Sequence, residues 1–427
     1  MNSTTPSCGV VGCVTGAQVT GTLPDAGEAR AGRQGEQTHH TRRTIALALA
    51  AICCCATAGA APAGARQIGD TTVFTTIPYP GQPGGMAVRG KTVYVDTFGF
   101  AYSGAGDSVP PATWHRPADG VDDVFAYDLD TGALVGRKPN PIIVPRTRQV
   151  AIMGLSGMAI DARGFLYVVD MNARVLRIDP RTGAQDVYAT FPAGAGGPFT
   201  SMPLDIAFDA RGYAYVTDIA GPPVIWRVPP SGGEAEPWFV DPRIGGYWSE
   251  GGGGIRVDPT GKVLYFTVVG STYPATAGHG VVYSLPLAKP DASELKLVHV
   301  YESPAEAPPL GTGPLALTMG ASGRIYIALP GTGQLSVLRP DGHGYTEERR
   351  IPIAHTPNFL AFDGRGSLLV SSLGDESPKS WIVSDVFVND YDPANAPSAQ
   401  AQARARRLAA HRHRHRGRHR RAATRRR

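Results

Sequence analysis

The chain has 427 residues and a net charge of +5, and its charge and cysteines are unevenly spread. All five cysteines, Cys8, Cys13, Cys53, Cys54 and Cys55, fall within the first 65 residues, which excludes disulfides and thiol catalysis from the rest. Residues 404–427 hold twelve arginines, four histidines and no acid; taking those twelve charges and the leader's net +1 from the total leaves −8 on residues 66–394, so the globular body is acidic and the basic character belongs to the tail.

Residues 1–65 read as a leader. Arg42 and Arg43 precede an Ala/Leu/Ile stretch, 45–58, and Ala63-Gly64-Ala65 offers the small residues of a signal-peptidase site, with cleavage near Arg66. The apolar run is shorter than the roughly 18–20 residues of a spanning helix, so an exported protein without a transmembrane span in the mature chain is expected. The phrase TRRTIALAL resembles a twin-arginine signal, and an ordinary secretory signal fits equally well. Ile52 is larger than the residue that usually precedes a lipidated cysteine, which argues against Cys53 as an anchor. The forty residues ahead of Arg42 lack the character of a signal's basic region, which suggests a true start downstream of Met1.

From Gly85 onward one phrase recurs. It reads GMAVRGKTVYVDT from Gly85, GMAIDARGFLYVVD over 157–170, LDIAFDARGYAYVTD over 204–218, GGIRVDPTGKVLYFTVV from Gly253, LALTMGASGRIYIAL from Leu315 and FLAFDGRGSLLVSSL from Phe359. Each copy is a short alternating strand, a tight turn and a second strand rich in β-branched and aromatic residues, which is a hairpin. Two further strands follow each hairpin. In the second copy these are 175–178 and 186–191, in the third 224–228 and 235–240, and in the fifth 334–339 is the third strand. The spacing predicts an all-β, six-bladed propeller over 66–394 with four-stranded antiparallel blades.

The sixth copy has a third strand at 381–388 and then runs out, so the segment 71–77, TTVFTTI, is expected to close the ring as its fourth. A Gly/Pro-rich insertion between Asp96 and Asp123 contains His115, and a second, 271–280, contains His279; such insertions are more often functional lids than linkers. Residues 395–427 cannot build a core and are expected to be disordered. The tail would be drawn to an anionic cell-envelope surface or polymer, its alternating histidines suit a transition metal, and a solvated tail without a partner fits as well. No dedicated nucleic-acid partner is expected of an exported chain, and a monomer is the expected state.

The blade phrases, their order and the ending TPNFLAFDGRGSLLVSSL followed by WIVSDVFVND resemble exported bacterial members of the senescence marker protein, gluconolactonase and luciferin-regenerating enzyme family. The blades are also similar to NHL-repeat propellers. The family resemblance implies a lactonase whose channel holds Ca²⁺ or Mg²⁺ on a Glu and on Asn or Asp side chains at the starts of inner strands. The aligned positions are Gly84, Ser156, Leu204, Gly253, Gly313 and Asn358, of which only Asn358 is a good ligand. Gly84-Gly85-Met86 stands where the family has Glu-Gly-Pro.

Glu250, at the head of SEGGGGIRVD, is the second candidate metal ligand. Asp205, one residue off the aligned position, and His355, two residues ahead of Pro357-Asn358, are the candidate catalytic groups. A bulge would be needed to turn Asp205 to the same face. Asp96, Asp170 and Asp218 close second strands, where capping of backbone N–H groups is the commoner role. No Gly-x-Ser-x-Gly elbow occurs, and Gly251 to Gly254 lacks the Lys and helix of a phosphate loop. Two functions therefore stand side by side. One is a metal-dependent hydrolase of sugar lactones or related cyclic esters; the other is a non-catalytic propeller that binds a glycan, cell-envelope polymer or protein through its loops.

Overall fold

A computed structural model of the chain describes residues 66–78, 81–97, 121–136, 139–145, 154–192, 201–247, 250–302, 313–372 and 381–393. The leader, the Arg/His-rich tail, His115 and most of the insertion after Asp96 lie outside the described residues.

Four of the six repeated hairpins carry their own clamp. In the second blade Asp161 Oδ1 accepts the N–H groups of Gly164 at 2.8 Å and Phe165 at 3.0 Å, while Gly164 takes the positive φ of +94° that closes the turn. Asp209, Asp258 and Asp363 do the same in blades three, four and six. The Asp of the phrase is thus a turn-forming residue, and the β-branched residues that follow fill the space between blades.

Six sheets result, a six-bladed β-propeller. The inner strands are Pro83–Arg89, Leu155–Ile160, Pro203–Phe208, Gly252–Val257, Leu317–Met319 and Pro357–Phe362. The second strands are Thr92–Thr97, Leu166–Asp170, Ala214–Asp218, Val263–Val268, Ile325–Leu329 and Ser367–Ser372, and the outer pairs follow in antiparallel order. The second blade gains a short fifth strand, Gly233–Glu234, running parallel to Gln185–Thr190. Apolar side chains meet between neighbouring blades; Tyr326 of the fifth packs edge-on against Phe362 of the sixth at 5.8 Å.

Thr71–Thr76 is the fourth strand of the last blade, with Thr71 opposite Val386 and Thr76 opposite Ile382. This closes the ring and covers an edge that would otherwise pair with other chains. Arg66 locks the closure from outside: its guanidinium grips both carboxylate oxygens of Asp385, at 3.0 and 2.9 Å, and lies over the Phe387 ring. No helix among the described residues is long and apolar enough to cross a membrane.

Candidate functional site

Five of the six inner strands enter the channel through the same irregularity. In five blades the register slips by one residue just after the strand starts, between Pro83 and Met86, Leu155 and Met158, Pro203 and Ile206, Gly252 and Ile255, and Pro357 and Leu360. Two residues then face one partner, a bulge that re-aims side chains at the channel entrance. The paired residues are Gly84 and Gly85, Ser156 and Gly157, Leu204 and Asp205, Gly253 and Gly254, and Asn358 and Phe359. In the fifth blade Leu317 lies opposite Ile327 and Ala328 donates to the Ala316 carbonyl, so Leu315 and Ala316 occupy these positions. The expected equivalence of Gly313 is corrected to Leu315. The conserved spacing to the second strand sets the register, and Gly313 lies two residues too early.

The hub is stitched by hydroxyl groups. Ser371 Oγ accepts from Phe359 N–H at 2.9 Å and donates to the Gly84 carbonyl of the next blade at 2.8 Å. Thr217 Oγ1 donates to the Gly253 carbonyl at 2.5 Å, and Ser156 Oγ to the Leu204 carbonyl at 2.7 Å. These bonds draw the inner strands so close that side chains have no room. A Cβ on Gly85 would stand 2.1 Å from the Ser156 carbonyl oxygen, and one on Gly254 would stand 2.4 Å from Leu317 N. At the aligned position Gly253 a Cβ would stand 2.5 Å from the Leu315 carbonyl oxygen, so this glycine, like Gly85 and Gly254, is a packing residue.

One sector of the hub is polar and under-bonded. Asp96 Oδ1 accepts from Gly85 N–H at 2.8 Å, and Asn358 Nδ2 donates to the Pro83 carbonyl at 3.2 Å. Asp96 Oδ2, Asn358 Oδ1 and Gln82 Oε1 are buried and have no hydrogen-bond partner among the described residues. All three side chains belong to or are bonded to the stretch 82–85. Burial, chiefly, with the nearby Asp122 and Asp205 charges, holds the Asp96 carboxyl well above the usual carboxylate range against the pull of Gly85 N–H. Buried acceptor oxygens without donors are costly, and a hard cation is one species that satisfies several at once.

The sequence candidates are spread around this sector. Asn358 is in it, fully buried. Asp205 is turned inward by the bulge and is fully buried; its carboxylate accepts from Arg256 Nη1 at 2.7 Å, Ile206 N–H at 2.9 Å and Ile255 N–H at 3.1 Å. No hydrogen bond joins Asp205 to Asn358. Burial pushes the Asp205 carboxyl up against the opposing pull of the Arg256 guanidinium and the two N–H groups. Glu250 is buried with its carboxylate against Gly270, where a Cβ would stand 2.2 Å from Oε2, at the base of the 271–280 loop.

His355 is exposed in the connection before Pro357–Phe362, and its φ of +66° is rare for a residue with a side chain. Gln82 and Arg256 were not singled out from the sequence, and Asp96 was read there as a cap. Arg256 had a signal: it is the lone charged residue at the position two past the bulge, where the other copies carry Ala87, Ala159, Ala207, Thr318 and Ala361.

Asp170 and Asp218 are caps. Asp170 accepts from Asn172 N–H and Arg174 Nε, and Asp218 from Met202 N–H, Ala220 N–H and Trp226 Nε1. Among the described residues no group of three or more His, Cys, Asp and Glu is gathered to hold a metal ion. An Asn/Gln/Asp set has a different composition.

No known family model matches the chain, and no curated protein sequence matches it. Solved propellers do. Regucalcin from Agrobacterium tumefaciens, a calcium-binding protein, is 15% identical with a TM-score of 0.49, over 75% of this chain and 97% of that one. A gluconolactonase from Xanthomonas campestris is 15% identical with a TM-score of 0.41, over 76% and 99%. Virginiamycin B lyase from Staphylococcus aureus is 14% identical with a TM-score of 0.44, over 74% and 99%. Luciferin-regenerating enzyme is also among the neighbours, so the three kinds of protein named from the blade phrases all occur there. Likenesses this distant carry no chemistry to the present chain.

Proposed function

We propose that the chain is an exported, lactonase-like propeller that opens sugar lactones or related cyclic esters at the polar sector of its hub. The observation that carries this reading is the set of buried acceptors without donors, Asp96 Oδ2, Asn358 Oδ1 and Gln82 Oε1. An all-oxygen set with one carboxyl and two amides suits Ca²⁺ or Mg²⁺ better than a softer metal. When bound, such a cation polarises an ester carbonyl and acidifies water.

The chain's own residues have separate tasks. Asn358 and Asp96 hold their free oxygens in place through their second atoms, which are fixed to Pro83 and Gly85. Arg256 keeps Asp205 occupied, so the Asp205 charge orients the bulge at residues 204–205 and the neighbouring strand. His355, exposed two residues before Pro357, is the group that would take a proton from water, and Glu250 is the reserve carboxylate on the far side of the hub. Export rests on the leader, and attachment to an anionic envelope surface rests on the arginine tail.

The second reading, a non-catalytic propeller, is favoured by the glycines of the hub and by the internal pairing of Asp205. The two separate in one experiment. The purified full chain is melted with and without Ca²⁺ and Mg²⁺ and assayed for hydrolysis of simple aldonolactones. Stabilisation by either cation together with hydrolysis that His355→Ala reduces supports the enzyme. Stabilisation without hydrolysis leaves a cation-binding propeller, and neither effect overturns the lactonase reading.

A further inference from the structure

The opposite end of the channel, where the inner hairpins turn, opens into a cavity of about 810 Å³ that the hub chemistry does not use. All six inner strands line it. Met86, Met158, Ile206, Leu360 and Phe362 give its channel side an apolar stretch, its rim is charged, and its volume lies in the range of small-molecule sites. One charged side chain emerges from the channel wall, Arg256, at the ring position where the other five copies carry four alanines and a threonine. The small residues give it room.

Only one corner of the Arg256 guanidinium is used. Nη1 donates to Asp205 Oδ2 and to the Ile255 carbonyl, while Nη2 and Nε have no acceptor among the described residues, and the side chain is 20% exposed. The rim supplies a second guanidinium without an acid: Arg89 donates to the carbonyls of Asp161 and Ala162. Rim acids are occupied, Asp161 by Arg163 and by two N–H groups, and Asp363 by the N–H groups of Arg365 and Ser367.

From this geometry we infer that the hairpin-face cavity binds an amphiphilic monocarboxylate, its carboxylate on the free edge of Arg256 and its apolar body against the channel wall. A guanidinium edge matches a carboxylate in a two-bonded fork. A single guanidinium, already half-neutralised by Asp205, is too little charge to hold a dianion at the floor of the cavity beside its apolar channel side chains. A neutral ligand would leave the free N–H groups unmet.

Octanoate and 3-phenylpropionate are the probes, with octan-1-ol and octylamine as uncharged and cationic controls, and binding to the full chain is measured by calorimetry. Arg256→Met alone would strand the buried Asp205 charge. The paired variant Asp205→Asn/Arg256→Met removes the guanidinium without doing so, and Ala361→Phe fills the channel while leaving Arg256 in place.

Saturable binding of the carboxylates is expected, weakened about tenfold or more in the paired variant and abolished by Ala361→Phe, with octan-1-ol indifferent to the paired change. Absence of saturable carboxylate binding at millimolar concentration overturns the inference. So does affinity that stays within about twofold in the paired variant. No arm involves a divalent cation, so this test and that of the hub fail independently.

Discussion

Arg256→Met is expected to destabilise the propeller in a manner that depends on pH. Removing one member of a buried ion pair strands the other and costs ~3–5 kcal/mol. Asp205 is fully buried but keeps the N–H groups of Ile206 and Ile255, and the Arg256 side chain is 20% exposed, which puts the cost near the lower bound, ~3 kcal/mol. For a domain of this size that corresponds to a fall in Tm of roughly 4 °C.

The pH dependence follows from the carboxyl. Burial already raises Asp205 above its ordinary range, and losing the guanidinium raises it further. A carboxyl raised in the folded state holds its proton where the unfolded chain has released it. Its contribution to stability is therefore complete below the unfolded value and is lost as pH rises through the folded one. The variant should approach wild-type stability in mild acid and fall away toward neutral pH. Circular-dichroism melts across that range, with Asp205→Asn/Arg256→Met beside the single variant, measure it. A single-variant Tm within a degree of wild type at neutral pH, or a loss that does not change with pH, would refute the assignment of a buried ion pair.

Three further outcomes probe the fold. Gly85→Ala should cost about 1–3 kcal/mol or more because its Cβ would meet the Ser156 carbonyl, whereas Gly136→Ala, with nothing within 4 Å, should be near neutral in urea titrations. Ser371→Ala should cost about 1–3 kcal/mol in the same assay, since it removes the acceptor of Phe359 N–H and a donor to Gly84. Deleting residues 66–77 should leave the last blade's edge open and give aggregation in place of a cooperative melt by light scattering; a monomeric deletion with an unchanged Tm would contradict closure by Thr71–Thr76.

The architecture was legible because its determinants are local. The Asp-x-x-Gly turn writes its own hydrogen bonds, as at Asp161, and 71–77 could be assigned as the missing strand by counting. The site was less so, for reasons of distance. Asp205 and Arg256 pair across two blades and 51 residues, and no periodicity links them. Gly253 looked like a lost ligand, yet its emptiness is set by Leu315, whose carbonyl approaches from the neighbouring blade. The bulge could not be seen either. It moved Asp205 into the hub, while in the fifth blade the spacing to the second strand makes Leu315, not Gly313, the equivalent of Asn358. Asp96 read as a cap, and it is one through Oδ1; that Oδ2 is left without a donor depends on burial by other blades.

The most direct test of the central claim is calcium binding by wild type, Asp96→Asn and Asn358→Ala. Because burial raises the Asp96 carboxyl in the cation-free protein, a cation that binds its ionised form should be coupled to proton release, so affinity should rise with pH across the range in which that carboxyl titrates. Calorimetry in buffers of different ionisation enthalpy reads both quantities. The account expects wild-type binding with proton release, lost or weakened about tenfold or more in both variants, with Asp96→Asn raising the Tm of the cation-free protein at neutral pH. Calcium and magnesium that fail to bind wild type at millimolar concentration, or calcium binding that survives unchanged in both variants, would contradict it.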